Sequence, residues 1–195
     1  MTPHKGKRLF ITGIPTAGKS HLAKKLAAEV DGIIVLLDDF RETLASRERY
    51  KPWVNFYLDQ DEETYLTKTT PDDMWKNLVA QSEALWSAFL EKINSYASEQ
   101  KPVIFECVNI LPHLAHQDIE FPGIVLIGDT YEKILERNRM APRWSAKAHL
   151  QELEAKTFFH IERPHYKAEA EKYGYPIFKN SDDAFPVALK LLSGL

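Results

Sequence analysis

The chain has 195 residues, 44% of them hydrophobic and 27% charged, and its formal net charge is -3. This composition is typical of a globular domain and excludes a disordered chain, and the single cysteine excludes a disulfide scaffold. The small acidic excess argues against a nucleic-acid partner, and no apolar stretch reaches the length of a membrane span or a signal-peptide core. We therefore expect one domain over residues 1–195, cytoplasmic, monomeric or homodimeric, with neither a nucleic-acid nor a membrane partner.

Short apolar runs alternate with longer amphipathic ones along the chain, which predicts β-α units around a parallel sheet. Strands are predicted over residues 8–12, 33–37, 103–108, 124–127 and 176–178. Helices are predicted over residues 19–30, 71–98, 131–139, 146–173 and 183–192. The expected fold class is α/β, a parallel sheet of about five strands with helices on both faces.

The helix that begins at residue 71 has the clearest boundary. Thr70 is suited to the N-cap and Pro71 to the first helical position, and Asp72 and Asp73 complement the positive end of the helix dipole. In the last predicted helix, Pro186 is expected in the first turn, where a missing N–H costs nothing.

Residues 40–69 follow neither the helical nor the strand period. They combine charged side chains with aromatic ones, and a stretch of this length without periodicity is often functional in a compact domain. The alternative is a set of short surface helices whose aromatic side chains pack on the core. The sequence leaves both interpretations open.

Residues 13–20 form a complete G-x-x-x-x-G-K-S motif between a predicted strand and a predicted helix. Its glycines let backbone N–H groups converge on phosphate oxygens, and the helix N-terminus adds a favourable dipole. The lysine is expected to reach the β- and γ-phosphates of ATP, and the serine hydroxyl to ligate Mg²⁺. The residues predicted to bind the nucleotide here are Gly13, Thr16, Ala17, Gly18, Lys19, Ser20 and His21.

Two adjacent carboxylates, Asp38 and Asp39, follow the second predicted strand. Ligands of open α/β sheets bind beyond the carboxyl ends of the strands, so an acceptor hydroxyl could lie there. A carboxylate at that place can take the proton of the hydroxyl or orient it toward the γ-phosphate. The alternative is that Asp39 caps a helix while Asp38 is solvated. Either aspartate could be the catalytic one.

Glu106 lies on an otherwise apolar predicted strand. A buried carboxylate is costly without a partner, so we expect either that it supports a metal ion, directly or through water, or that it forms a structural ion pair. The neighbouring Cys107 is expected to be a small core residue.

The segment 132–147 contains five basic and two acidic residues, a local excess of positive charge in an acidic chain. An anionic ligand would explain it, and Arg137, Arg139 and Arg143 are the candidate binding residues. The alternative is a solvated helix face with glutamate–arginine pairs.

The motif, the acidic pair, Glu106 and the arginines, in this order along nearly the whole chain, resemble the small P-loop kinases of the adenylate-kinase-like group. The acidic pair is similar to the motif of small-molecule kinases and of the zeta-toxin group. The loop sequence T-A-G-K-S together with that pair also resembles the chloramphenicol phosphotransferases and the 2-phosphoglycerate-kinase-like proteins.

This resemblance implies a P-loop NTPase fold with a small arginine-bearing lid over about residues 137–147. It implies transfer of the γ-phosphoryl group of Mg-ATP to a hydroxyl or phosphate of a small-molecule acceptor. Arg137 and Arg143 would then close over the phosphates and Arg139 would lie near the adenine, while Glu106 would support Mg²⁺ where aspartate is more usual. Asn180, in the loop after the last strand, would lie beside the adenine or simply cap the last helix.

The acceptor region is expected over about residues 38–69. Arg41, Arg47 and Arg49 would suit an anionic acceptor, whereas the aromatic residues between positions 50 and 65 would suit a nucleobase or another aromatic compound. Two other functions remain open: a nucleoside or nucleotide kinase, and a regulatory protein that binds a nucleotide without transferring phosphate.

Overall fold

The computed structural model describes residues 7–142 and 144–193. The strands are β1 Arg8–Gly13, β2 Ile33–Leu36, β3 Val103–Glu106, β4 Gly123–Leu126 and β5 Ile177–Phe178. The helices are α1 Lys19–Val30, α2 Leu37–Thr43, α3 Lys51–Val54, α4 Glu62–Lys68, α5 Pro71–Asn94, α6 Pro112–Asp118, α7 Tyr131–Met140, α8 Ala148–Lys156, α9 Arg163–Tyr173 and α10 Ser181–Ser193.

The five strands form one parallel sheet in the order β2-β3-β1-β4-β5, which confirms the predicted α/β fold class. The central position of β1 places the loop that follows it in the middle of the carboxyl edge. In the sheet register, Glu106 at the end of β3 lies opposite Ile11 of β1 and Leu36 of β2. The ends of these three strands therefore meet at one place, where a ligand of an open α/β sheet binds.

Every residue of β3 and of β4 is buried, since helices cover both faces of the sheet. Helices α1 and α10 pack on each other and on the central strands, and α9 packs on α6, β4 and β5. In the part of the chain that the structure describes, no helix is both long enough and apolar enough to cross a membrane.

Several predicted helix boundaries are correct and others are wrong. Thr70 caps α5, since its hydroxyl accepts a hydrogen bond from the Asp73 N–H. The helix ends at Asn94, before the predicted limit, because asparagine and the serine that follows it are weak helix formers. Helix α10 begins at Ser181, so Pro186 lies inside the helix and not in its first turn. Asn180 causes this earlier start by accepting hydrogen bonds from the first-turn N–H groups.

The helix predicted over residues 146–173 begins at Ala148 and contains a π-helical turn, Thr157–Glu162, between α8 and α9. Phe158 and Glu162 of this turn are buried, while His160 between them is exposed. A single π-helical turn is too short to give a recognisable spacing of apolar residues, so the sequence pattern did not indicate it.

Residues 37–68 form three short helices, α2, α3 and α4, with a 3₁₀ turn, Leu44–Ser46, after the first. Four aromatic side chains of this region are buried in the core: Tyr50, Phe56, Tyr57 and Tyr65. The structure thus agrees with the interpretation of short helices packed on the core. Tyr50, Tyr57 and Tyr65 are thus not available as an open stacking surface for a nucleobase.

Gly13, at the end of β1, combines a positive φ of 120° with a close approach of β4. A Cβ atom there would lie 1.9 Å from the Leu126 carbonyl oxygen, which is backbone and cannot move aside. We expect Gly13→Ala to lower the free energy of unfolding by more than about 3 kcal/mol in urea denaturation.

Gly174 provides the matched control for this prediction. Its φ of 76° is also positive, but no atom lies within 4 Å of the position that a Cβ would occupy. Gly174→Ala should therefore cost only the backbone strain of about 1–2 kcal/mol. Equal losses for the two variants would contradict the argument from steric overlap.

Candidate active site

The loop over residues 14–18 joins β1 to α1 at the centre of the carboxyl edge. Gly13, Thr16 and Gly18 have positive φ angles of 120°, 58° and 99°, and such left-handed residues turn the backbone N–H groups into a common concavity. No side chain caps the N-terminus of the 12-residue helix α1. The first-turn N–H groups of α1 are therefore directed toward the space where an anion would bind.

Lys19 and Glu106 are buried at this loop, with exposed fractions of 3% and 4%. The Lys19 Nζ donates a hydrogen bond of 2.8 Å to the Ile14 carbonyl oxygen and lies 3.8 Å from the Glu106 Oε1. The Ser20 hydroxyl donates to the Glu106 Oε2 at 2.8 Å. The pleat of β3 thus directs the Glu106 carboxylate toward the loop, where it meets the two motif side chains.

The donor set formed by Ser20 and Glu106 fits Mg²⁺. A hydroxyl and a carboxylate are oxygen ligands, and Mg²⁺ is usually held by one or two such protein ligands together with phosphate oxygens and water. The two oxygens already lie 2.8 Å apart, at the open end of the phosphate loop. No group of three or more histidine, cysteine, aspartate or glutamate residues that could hold a metal occurs among the described residues.

A cavity of about 200 Å³ opens beside the loop. Arg137 of α7 closes one side of it, and its guanidinium donates to the Thr16 carbonyl oxygen at 3.3 Å. The described residues that line the cavity are Thr16, Gly18, Lys19, Ser20, His21, Arg137 and Ala141. Of the motif residues, Ala17 is buried behind the loop, while Ser20 and His21 are exposed in the first turn of α1.

The other two candidate arginines differ from Arg137 in their positions. Arg139 is exposed and its guanidinium donates to the Glu152 carboxylate of α8 at 2.8 Å, so it lies on the outer side of α7. Arg143 lies outside the described residues. Asn180 caps α10 and also donates to the Asp183 carboxylate at 2.8 Å. Its neighbour Ser181 adjoins the loop, since a Cβ on Gly18 would lie 3.7 Å from the Ser181 side chain.

Asp38 and Asp39 lie in the first turn of α2, because β2 ends at Leu36 and the helix starts one residue later. The side chain of Asp38 is 15% exposed, and its Oδ1 lies 3.5 Å from the Arg41 guanidinium. Asp39 is exposed. Neither aspartate is the N-cap of α2, since that position is Leu36. The two adjacent carboxylates thus have different surroundings.

Cys107 connects Glu106 to Asp38. Its thiol donates a hydrogen bond of 3.3 Å to the Asp38 Oδ1, and the Asn109 N–H donates to its sulfur. Burial raises the pKa of the Cys107 thiol well above its usual value, and the negative charge of Asp38 raises it further. The thiol therefore stays protonated and remains a donor to Asp38. The expectation of a small core residue missed this contact, which no local sequence pattern indicates.

A second cavity, of about 420 Å³, borders α2 and α3. Arg41 is 5% exposed and lies between this cavity and Asp38, and it also donates to the Asn109 Oδ1 at 3.0 Å. Arg47 and Arg49 are exposed and do not line this cavity. We call it the acceptor-side cavity, and the described residues that line it are Arg41, Glu42, Ala45, Lys51, Val54, Asn55, Phe56, Asp59 and Trp144.

Sequence reasoning missed Trp144, which lies inside the predicted arginine-bearing lid. Its ring stacks on Phe56 with 4.8 Å between the centroids and an angle of 26° between the planes. The only signal in the sequence was a large aromatic residue among basic ones. Its ring partner, Phe56, lies 88 positions earlier in the chain, so no local pattern indicates the contact. The contact brings the segment between α7 and α8 against the acceptor-side cavity.

Two carboxyl groups, Glu154 and the half-buried Glu62, interact with each other. Glu154 is fully buried and accepts hydrogen bonds from the Tyr57 hydroxyl at 3.1 Å and from the Asn138 amide at 2.6 Å. Burial, hydrogen bonding with Glu154 and repulsion by its charge together raise the pKa of Glu62 to about 7, while Tyr57 and Lys147 act in the opposite direction. Glu62 therefore binds a proton more readily in the folded chain than in the unfolded one.

The raised pKa of Glu62 predicts a dependence of stability on pH. Its contribution is fully present below the unfolded value of about 4.5 and is lost as the pH rises through about 7. We expect the melting temperature to fall between pH 5 and pH 8, and Glu62→Gln to reduce this fall. The control is Glu48→Gln at a side chain that is 91% exposed. Parallel curves for the wild-type and Glu62→Gln proteins would contradict the prediction.

Comparison with known proteins identifies the fold. No protein-family model and no curated protein sequence matches the chain. Shikimate kinase from Acinetobacter baumannii, in complex with shikimate, is 15% identical with a TM-score of 0.55, and the match covers 98% of this chain and 95% of that one. The chain thus shares its α/β fold with this kinase.

Two further solved structures are similar. Deoxyadenosine kinase from M. mycoides with bound dATP is 14% identical with a TM-score of 0.48, covering 96% of this chain and 97% of that one. Gluconokinase from Sinorhizobium meliloti 1021 is 15% identical with a TM-score of 0.47, covering 98% of this chain and 93% of that one.

Proposed function

We propose that the protein transfers the γ-phosphoryl group of ATP to a hydroxyl of a small-molecule acceptor. The observation that carries this proposal is the cluster of Lys19, Ser20 and Glu106 at the phosphate loop, linked through Cys107 to Asp38. Glu106 and Cys107 are adjacent on the chain, so the nucleotide side and the acceptor side of the site share one strand end. The end of β3 thus positions both the residues that would bind ATP and the Asp38 carboxylate that would take the acceptor's proton.

The reaction needs no covalent intermediate with the protein. The acceptor hydroxyl oxygen attacks the γ-phosphorus, its proton passes to the Asp38 carboxylate, and a new phosphorus–oxygen bond forms. The bond between the γ-phosphorus and the oxygen that bridges to the β-phosphate breaks, and ADP leaves with that electron pair. Lys19, Arg137 and the loop N–H groups bind the phosphates, and they offset the negative charge that develops on the leaving oxygen.

Ser20 and Glu106 would hold Mg²⁺ in this proposal. When bound, the ion neutralises charge on the β- and γ-phosphates. Glu106 is already oriented by the Ser20 hydroxyl and by the nearby ammonium of Lys19, so the carboxylate is directed toward the loop.

We assign the nucleotide contacts among the arginines by their partners. Arg137 lines the loop cavity and contacts Thr16, which supports a role in binding the phosphates. Arg139 would have to leave Glu152 to reach the nucleotide, so we assign it the lesser role. Asn180 lies in the loop that adjoins Gly18 through Ser181, and this loop is the proposed neighbour of the adenine. Arg143 remains a proposed lid residue.

Two observations favour a small hydroxylated acceptor over the alternatives. Tyr50, Tyr57 and Tyr65 are buried, and Phe56, the one ring of the four that lines the acceptor-side cavity, is already stacked on Trp144 and not free to sandwich a nucleobase. A cavity of about 420 Å³, lined by Arg41 whose guanidinium lies 3.5 Å from the Asp38 carboxylate, provides the acceptor space that a purely regulatory nucleotide-binding protein would not need. The similar shikimate kinase, solved with shikimate, is also named for a small acceptor.

The test is acceptor-dependent release of ADP from Mg-ATP, with the phosphorylated product identified by mass spectrometry. The panel contains polyols, sugar acids, phosphoglycerates, nucleosides, nucleotides and hydroxylated antibiotics, and the Lys19→Ala protein is the blank. An acceptor that raises the rate well above the blank and gains a phosphoryl group supports the proposal. Tight ATP binding without transfer to any of these compounds would favour the regulatory alternative.

A further inference from the structure

The acceptor-side cavity has a charge pattern that restricts its ligand. Arg41 lies within 3.5 Å of the Asp38 carboxylate and 3.6 Å of the Glu42 carboxylate, so its charge is already offset on two sides. Lys51, the other cation among the described lining residues, lies 3.9 Å from Glu48. The described lining residues thus offer no excess positive charge to a ligand.

The wider surroundings of the cavity are acidic. The segment 38–61 contains four basic and six acidic residues, and Asp59 of this segment also lines the cavity. The segment 132–147, beside the phosphate loop, has the opposite balance of five basic and two acidic residues. An anionic acceptor would therefore be drawn to the nucleotide side and repelled from the acceptor side. It would also have to displace Asp38 or Glu42 from Arg41.

The hydrogen-bonding and apolar groups of the cavity indicate what it accepts. Asn55 supplies an amide NH₂ that can donate, while its oxygen already accepts from the Tyr57 N–H at 2.8 Å, and the Glu42 and Asp59 carboxylates supply oxygens that accept hydrogen bonds from hydroxyls. The stacked rings of Phe56 and Trp144 add an apolar surface to the same cavity. An apolar surface together with several hydrogen-bonding groups matches a compound that has C–H faces and many hydroxyls.

We infer that the acceptor is a neutral polyhydroxylated compound, a sugar or a polyol, that binds between Arg41 and the Phe56–Trp144 stack. This inference rests on the proposed function for the transfer step, in which one acceptor hydroxyl loses its proton to Asp38 and gains the γ-phosphoryl group. Binding in the cavity does not depend on that step. The neutrality of the ligand is inferred from the charges of the described lining residues.

The experiment compares three compounds with one carbon skeleton: D-glucitol, D-gluconate and D-glucamine, whose terminal groups are neutral, anionic and cationic. A second series is glycerol, glycerate and 3-amino-1,2-propanediol. Binding is followed by saturation-transfer NMR and by the tryptophan fluorescence of the full chain with ATP replaced by a non-hydrolysable analogue. Phosphoryl transfer from ATP is followed in parallel. We expect the neutral member of a series to bind, and to be phosphorylated, at least about tenfold better than its acid.

Asp59→Lys provides the matched variant, since it reverses one lining charge without touching Asp38 or the phosphate loop. It should raise the relative affinity for the acid at least about fivefold. Preference for the anionic or the cationic member, or no saturable binding by either neutral compound, overturns the inference. Binding of the neutral compounds without phosphorylation leaves the inference standing and contradicts the proposed function, so the two failures are distinguishable.

Discussion

Asp38→Asn is expected to lower kcat for phosphoryl transfer by about 10²- to 10⁴-fold, whereas Asp39→Asn should change it by less than about threefold. The two carboxylates are adjacent, so they differ by about 100° around α2. Asp38 is directed into the site, where the Cys107 thiol and the Arg41 guanidinium hold it. Asp39 is exposed and serves as the matched control for charge and for position on the helix.

The measurement is kcat and KM for each variant on the acceptor that the panel identifies. Asparagine retains an oxygen that can accept from Cys107 and from Arg41, so we expect the melting temperature of Asp38→Asn to stay close to that of the wild-type protein. If Asp38 is the base, the Asp38→Asn substitution should reduce kcat by a larger factor than it raises KM. Equal effects of the two substitutions would show that neither aspartate is the base, and a larger effect of Asp39→Asn would reverse the assignment.

The sequence predicts the parts of this molecule that depend on local patterns. The strand–loop–helix context of the motif places Lys19 and Ser20 at the carboxyl edge, and the apolar runs give all five strands of the sheet. The start of α5 is equally local, since the N-cap Thr70 and Pro71 are adjacent to the helix that they begin. Interactions within a few residues leave a clear signature in composition and spacing.

The parts that the sequence does not predict depend on which distant residues meet. The direction of Glu106 follows from the register of β3 with β1 and β2, and that register is set by packing of the whole sheet. The basic residues of the segment 132–147 do not all face the same partner. Arg137 turns to the loop and Arg139 pairs with Glu152, so one stretch matches both of the interpretations that its composition allowed.

The arginines on the acceptor side show the same limit of prediction from sequence. Arginines at positions 41, 47 and 49 are equivalent in the sequence, yet one is buried beside Asp38 and the other two are exposed. Burial distinguishes them because a guanidinium can leave water only where carboxylates and carbonyl groups satisfy it. The sequence could therefore predict that a charged region follows β2, but the choice between an anionic and a neutral ligand required the pairs that the folded chain forms.

Lys19→Ala is expected to lower kcat/KM for ATP-dependent transfer by at least about 10²- to 10³-fold, because it removes a cation that binds the phosphates and stabilises the charge that develops on them. The substitution also leaves Glu106, which is 4% exposed, without the ammonium at 3.8 Å. We therefore expect a loss of stability of up to about 3 kcal/mol, and not an intact fold at every temperature. Activity has to be compared where circular dichroism shows both proteins to be folded.

Lys24→Ala is the matched control, since this lysine is exposed on the same helix. It should leave both the rate and the melting temperature close to wild-type values. Isothermal titration with ATP separates the two roles of Lys19. If the lysine acts on the phosphates, the variant that is folded at low temperature still transfers slowly. If it serves only as the partner of Glu106, lowering the temperature or adding a stabilising osmolyte restores the rate along with the fold, and the catalytic assignment is wrong.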